Sequence, residues 1–131
     1  MSKSTILIVE ENLLHMKLFS DILENQGYKT LQVSDGESAV IMARENNPDL
    51  ILLDVRLPFK SGFEVVSQLK DEQDLKEIPV IAVTATADAL DRDNYLSRGF
   101  DEFLPKPIVI PNMLRTIANC ITSVPYLKAV I

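Results

Sequence analysis

The stretch "PDLILLDVRLP", residues 48–58, decides how the chain folds. Leu50 to Leu53 are four apolar residues in a row, which suits a strand buried on both faces. Asp54 follows directly. A carboxylate at the end of a buried strand is costly unless a partner offsets its charge. A parallel α/β sheet resolves the conflict. Its central strands are buried, and their carboxyl ends open into the crevice where such folds place their sites.

Working outward, the same alternation of short apolar runs and helical periodicity recurs. Strands are expected at 5–9 ("TILIV"), 28–33, 50–54, 79–85 and 101–105. Helices are expected at 13–27, 35–46, 61–72, 87–99 and 110–124. Asn12 is placed to cap the first helix and Gly27 to end it. Pro111 suits the first turn of the last. Five strands alternating with five helices predict a doubly wound α/β domain, because parallel strands need right-handed helical crossovers. The tail 125–131, "PYLKAVI", has no clear assignment.

Composition narrows the function. The 131 residues fit one domain, with 47% apolar and 24% charged residues. The net charge of −6 argues against nonspecific nucleic-acid binding, which needs clustered Lys and Arg. No apolar run is long enough to span a bilayer, and the N-terminus lacks a signal-peptide pattern. The single cysteine, Cys120, cannot form an internal disulfide and suits a buried helix face. Together these features predict a cytoplasmic protein.

The strand ends carry the chemistry. Strand one runs into Glu10 and Glu11, strand three into Asp54, strand four into Thr84 and strand five into Lys106, followed by Pro107. Three carboxylates, a hydroxyl and an ammonium therefore gather at one edge. Crowded carboxylates repel one another, and Mg²⁺, which prefers oxygen ligands, relieves that repulsion. Lys106 is a partner for an anion or for Asp54, and Thr84 can hydrogen-bond a phosphoryl oxygen. These are the parts for phosphoryl transfer onto Asp54.

The series Glu10-Glu11, Asp54 within "DVRLPFKSG", Thr84-Ala85 and Lys106-Pro107 resembles the receiver domain of two-component response regulators. The likeness spans residues 4 to about 123, leaving 124–131 as a tail to a single domain of 1–131. The segments "MKLFSDILENQGY", "ARENNPDLILLD" and "IPVIAVTA" are most similar to DivK-type single-domain regulators, which implies a place in cell-cycle regulation. The resemblance implies a flavodoxin-like strand order, 2-1-3-4-5. It implies Asp54 as phosphoacceptor, with a histidine kinase or histidine phosphotransfer protein as donor. Glu11, Asp54 and the main-chain carbonyl of Arg56 would hold Mg²⁺, with Glu10 supporting the acidic pocket. Thr84 and Lys106 would contact the phosphoryl group. Phe103 would be the switch aromatic, and Lys106–Pro107 a cis bond. Output would pass to a protein partner through the α4–β5–α5 face, roughly residues 87–122, with no DNA-binding domain following. Beyond its own phosphorylation and dephosphorylation the chain would not be an enzyme.

One position departs from the family: Glu11 stands where Asp is usual. Glutamate is a methylene longer, and Mg²⁺ demands near-octahedral geometry. An interaction module that works without phosphorylation is therefore the alternative reading. An aspartate phosphatase would carry a second Asp two residues after the nucleophile, where this chain has Arg56. A flavin or nucleotide carrier would offer glycines and helix N–H groups after strand one, where this chain has "EEN". Pro105 is expected to shorten strand five, since it has no N–H. His15 is expected to be a partly exposed bystander of the first helix. Gly62 is expected to relieve a turn, and Pro58 to shape the same loop.

Overall fold

The computed structural model describes residues 4–85 and 92–122. The elements run β1 (Thr5–Val9), α1 (Leu13–Asn25), β2 (Lys29–Val33), α2 (Gly36–Asn46), β3 (Leu50–Asp54), α3 (Gly62–Lys70), β4 (Val80–Thr84), α4 (Arg92–Ser97), β5 (Glu102–Pro105) and α5 (Ile110–Thr122). The strands form one parallel sheet in the order β2-β1-β3-β4-β5. The expected start of the fourth helix, at 87, and the tail from 125 lie outside the described residues.

Strand side chains alternate between faces, so the sheet feeds two cores, one on each side. Ile6, Ile8, Leu50, Leu52, Ile81, Val83 and Leu104 turn to Met16, Phe19 and Leu23 of α1 and to Met113 and Ile117 of α5. Leu7, Val9, Ile51, Leu53, Val80 and Ala82 turn the other way, onto α2, α3 and Tyr95 of α4. β3 and β4 are buried along their whole length. That double burial is why they are continuous apolar runs rather than alternating ones.

Local chemistry sets the element ends. Oδ1 of Asn12 accepts the His15 N–H at 3.0 Å and caps α1. Asp35, expected inside the second helix, instead caps it from outside, accepting the Ser38 N–H at 2.8 Å. Ser61 and Glu64 form a capping box at the start of α3. Gly27 and Gly99 adopt left-handed φ values of 95° and 109° after α1 and α4.

Three expectations change. Pro105 does not shorten β5: it pairs in register with Thr84, and the next N–H, of Lys106, reaches the Thr84 carbonyl at 2.7 Å. β5 is an edge strand, and the ladder to β4 continues through Lys106, so a proline beside it is tolerated. Gly62 answers a shortage of space rather than a turn. A Cβ there would stand 2.7 Å from the Cα of Val55 and 3.0 Å from the carbonyl oxygen of Asp54. Cys120 is half-buried rather than fully in the core.

Candidate functional site

The site lies at the carboxyl edge of β1, β3, β4 and β5. Asp54 is the last residue of β3 and only 5% exposed. Its Oδ1 accepts the main-chain N–H of Arg56 at 2.8 Å, and its Oδ2 accepts from Lys106 Nζ at 3.0 Å. Glu10, directly after β1, is 2% exposed. Its Oε1 accepts from Lys106 at 3.2 Å and its Oε2 accepts the Asn12 N–H at 3.0 Å. One ammonium thus stands between two buried carboxylates from strands adjacent in the sheet.

The electrostatics follow. Burial pushes the Glu10 carboxyl above its ordinary range, and neighbouring Asp54 pushes the same way; the Asn12 N–H and the Lys106 charge oppose them without prevailing. Burial disfavours the Lys106 ammonium, but Asp54 and Glu10 together outweigh it and hold its pKa above the ordinary lysine value.

Thr84 closes β4 and is buried. By the alternation of β4 it shares a face with Val80 and Ala82, the face covered by α4. There its Oγ1 accepts from the Tyr95 hydroxyl at 3.0 Å. Phe103 is half-buried and stacks on Tyr95, centroids 5.6 Å apart and planes 14° apart. The Lys106–Pro107 peptide bond is cis. After Asp54 the chain exposes the Arg56 side chain, then turns tightly where the Lys60 N–H reaches the Pro58 carbonyl at 2.7 Å around Phe59, whose φ is 67°. Pro58 thus accepts the bond that closes this turn.

Glu11 is exposed on the rim. Among the described residues no three His, Cys, Asp or Glu side chains converge as a metal cluster. The expected donor set of Glu11, Asp54 and the Arg56 carbonyl has only two carboxylates, so this does not contradict it. Donor chemistry fits a hard cation: the oxygens are anionic, and a single ammonium faces both buried carboxylates.

Two residues join the site that sequence reasoning left out. His15 is no bystander: its Nδ1 lies 3.2 Å from Lys106 Nζ. An ammonium only donates, so this nitrogen accepts, which requires the neutral tautomer protonated at Nε2. The available signal was its place in the first turn of α1, directly beyond the end of β1. Tyr95 is the other. Its signal was an aromatic set, Phe63, Tyr95, Phe100 and Phe103, spread over α3, α4, the connection after α4 and β5.

A five-stranded parallel sheet in this order, with an acidic pocket and a lysine at its carboxyl edge, defines the class: a CheY-like doubly wound α/β fold. Residues 6–118 match the response regulator receiver domain family, and the chain belongs to that family. It is 47% identical over 119 residues to the polar-differentiation response regulator DivK of Brucella ovis, covering 91% of this chain and 96% of that protein. The crystal structure of the receiver domain of a Pseudomonas aeruginosa sensor histidine kinase, with a magnesium ion coordinated in its active-site cleft, superposes with a TM-score of 0.85 at 32% identity, covering 93% of this chain and all of that one. The receiver domain of a Syntrophus aciditrophicus signal transduction histidine kinase superposes with a TM-score of 0.84 at 34% identity, covering 92% of each chain. No helix among the described residues is long and apolar enough to cross a membrane.

Proposed function

We propose that the chain is a single-domain receiver that takes a phosphoryl group from the phosphohistidine of a sensor kinase or phosphotransfer protein onto Asp54. The observation that carries this reading is the Lys106 ammonium held 3.0 Å from Asp54 Oδ2. An Asp54 oxygen attacks phosphorus, the donor's N–P bond breaks, and an acyl phosphate forms while the imidazole leaves. Lys106, already close, neutralises charge building on the phosphoryl oxygens. Thr84 turns its hydroxyl to one of those oxygens. Mg²⁺, when bound by Asp54, Glu11 and the Arg56 carbonyl, supplies further charge neutralisation.

The donor's docking surface also has support. Leu13, Leu14 and Leu18 of α1 are 79%, 67% and 47% exposed, and Val109 and Ile110 are 62% and 43% exposed. Of these, Leu18 and Ile110 line an apolar cavity of about 570 Å³ that also reaches Lys106 and His15. An apolar rim beside the phosphoacceptor suits a partner's helical face. The changed state would be read by a protein partner on the α4–β5–α5 face. The name of the Brucella relatives, polar-differentiation response regulator, supports a role in polar differentiation.

The exposed position of Glu11 favours one second reading, an interaction module that works without phosphorylation. Intact-protein mass spectrometry after incubation with acetyl phosphate, with and without Mg²⁺, separates the two. One Mg²⁺-dependent phosphoryl group, absent from Asp54→Asn, is expected. No adduct on a folded protein, beside a labelled control receiver, would favour the module.

A further inference from the structure

Thr84 is joined to α4 by a polar bond inside the core. The Tyr95 hydroxyl donates to Thr84 Oγ1 at 3.0 Å, and Tyr95 is only 7% exposed. Its ring is clamped between two others. Phe63 of α3 stacks on it at 5.6 Å and 9°, and Phe103 of β5 at 5.6 Å and 14°. Phe100 meets it edge-on at 6.0 Å, and the Arg98 guanidinium sits 4.0 Å above Phe63. One column of stacked groups therefore runs from Arg98 through Phe63 and Tyr95 to Phe103, and its single polar reach toward the site is the Tyr95 phenol.

We propose that Tyr95 is the positioning residue that reports the state of Thr84 to α4: its phenol follows the Thr84 hydroxyl, and α4 follows the phenol. The proposal rests on the phosphorylation reading. If Thr84 turns its hydroxyl to a phosphoryl oxygen, the geometry that receives the Tyr95 proton is lost. A buried phenol without an acceptor is unfavourable, so the ring must find a new partner or leave the core. Tyr95 lies within the described part of α4, Arg92–Ser97. Helices in proteins owe most of their stability to packing, and Tyr95 is the one buried side chain among the described residues of α4. Displacing the ring therefore displaces the helix. Phe103, stacked on the same ring, loses its neighbour in the same event. Thr84 and the β5 aromatic are thus coupled here through a residue of α4 rather than only through space.

The test is a double-mutant cycle, Tyr95→Phe and Thr84→Val, read by amide hydrogen exchange across Arg92–Ser97 in the unphosphorylated chain. Tyr95→Phe keeps the stacked ring and removes only the hydroxyl, so the fold is retained. Each single variant is expected to lower α4 protection about tenfold (~1.4 kcal/mol), and the double variant no further. Losses that multiply in the double variant would overturn the tether. The second arm phosphorylates the wild type with acetyl phosphate and Mg²⁺, checked by intact mass. Labelled wild type should lose α4 protection by a similar factor, and labelled Tyr95→Phe should show little further change. Unchanged α4 protection in labelled wild type would overturn the relay. No labelling at all would remove the phosphorylation reading and the relay with it, while the cycle would still judge the tether on its own.

Discussion

Lys106 Nζ stands 3.0 Å from Asp54 Oδ2 while also holding Glu10 Oε1 at 3.2 Å, so one cation serves two carboxylates that are each at least nine-tenths buried. The unmodified site therefore carries surplus negative charge. Asp54→Asn removes one carboxylate and leaves Glu10 and Lys106 as a balanced pair. It should abolish phosphoryl acceptance and stabilise the protein by about 1 kcal/mol, since it relieves the repulsion that helps push the Glu10 carboxyl up. Urea unfolding of both proteins without Mg²⁺ checks the sign. A variant less stable than wild type would mean that the Lys106–Asp54 attraction outweighs the repulsion.

His15 supplies the third acceptor of the Lys106 ammonium, at 3.2 Å. His15→Leu keeps an apolar side chain against Phe19 but takes that acceptor away. Lys106 then points less consistently at the phosphoryl position, and labelling by acetyl phosphate should slow roughly three- to tenfold. His15→Asn restores an acceptor oxygen and should recover much of the rate. Equal rates in all three proteins would show that the two carboxylates alone position Lys106.

Gly62 opens α3 against the backbone that follows Asp54. In Gly62→Ala the new methyl would press on the Val55 Cα, 2.7 Å away, and on the Asp54 carbonyl oxygen. Backbone cannot yield as a flexible side chain does. The expected cost is about 1–3 kcal/mol, with slower phosphorylation because the loop that supplies the Arg56 N–H moves. Thermal unfolding and labelling kinetics measure the two effects separately.

These cases show what was legible in the residues. The sheet was legible because Ile6 and Ile8 against Leu7 and Val9 repeat with the strand period, and because Leu50–Leu53 have no polar face. Glu10, Asp54, Thr84 and Lys106 were legible because a parallel sheet sends every strand end to one edge. His15 and Tyr95 were not. Each comes from a helix whose rotation against the sheet decides which side chain faces the site, and helical spacing alone does not fix that rotation. The space around Gly62 depends on how closely α3 approaches β3, which is a tertiary fact. The fate of Pro105 turned on β5 lying at the sheet edge.

Glu11 is where the resemblance and the chemistry pull apart. If it ligates Mg²⁺, its extra methylene displaces an oxygen from near-octahedral geometry. Glu11→Asp should then tighten Mg²⁺ binding by about tenfold (~1.4 kcal/mol), followed by amide shifts at residues 10–12 and 54–56 during an NMR titration. The position is exposed, so the substitution should barely alter stability. Unchanged affinity would show that Glu11 is not a ligand.

Cys120 offers a reading of the α5 side that is independent of phosphorylation. Burial, with Asp101 and Glu102 adding to it, pushes its thiol from 9.0 up to about 11. At pH 8 this lowers the thiolate fraction roughly a hundredfold, and the thiolate is the reactive form. Alkylation by iodoacetamide should therefore be about a hundredfold slower in the folded chain than in urea. The linkage sign follows from the same shift. The folded value lies above the unfolded one, so the folded state binds the proton more tightly. That contribution to stability is fully present below pH 9 and is lost as pH climbs through 11. Cys120→Ser should flatten this part of the stability profile, because serine does not titrate there. Rapid alkylation at pH 8 without denaturant would show instead that the α5 face opens readily.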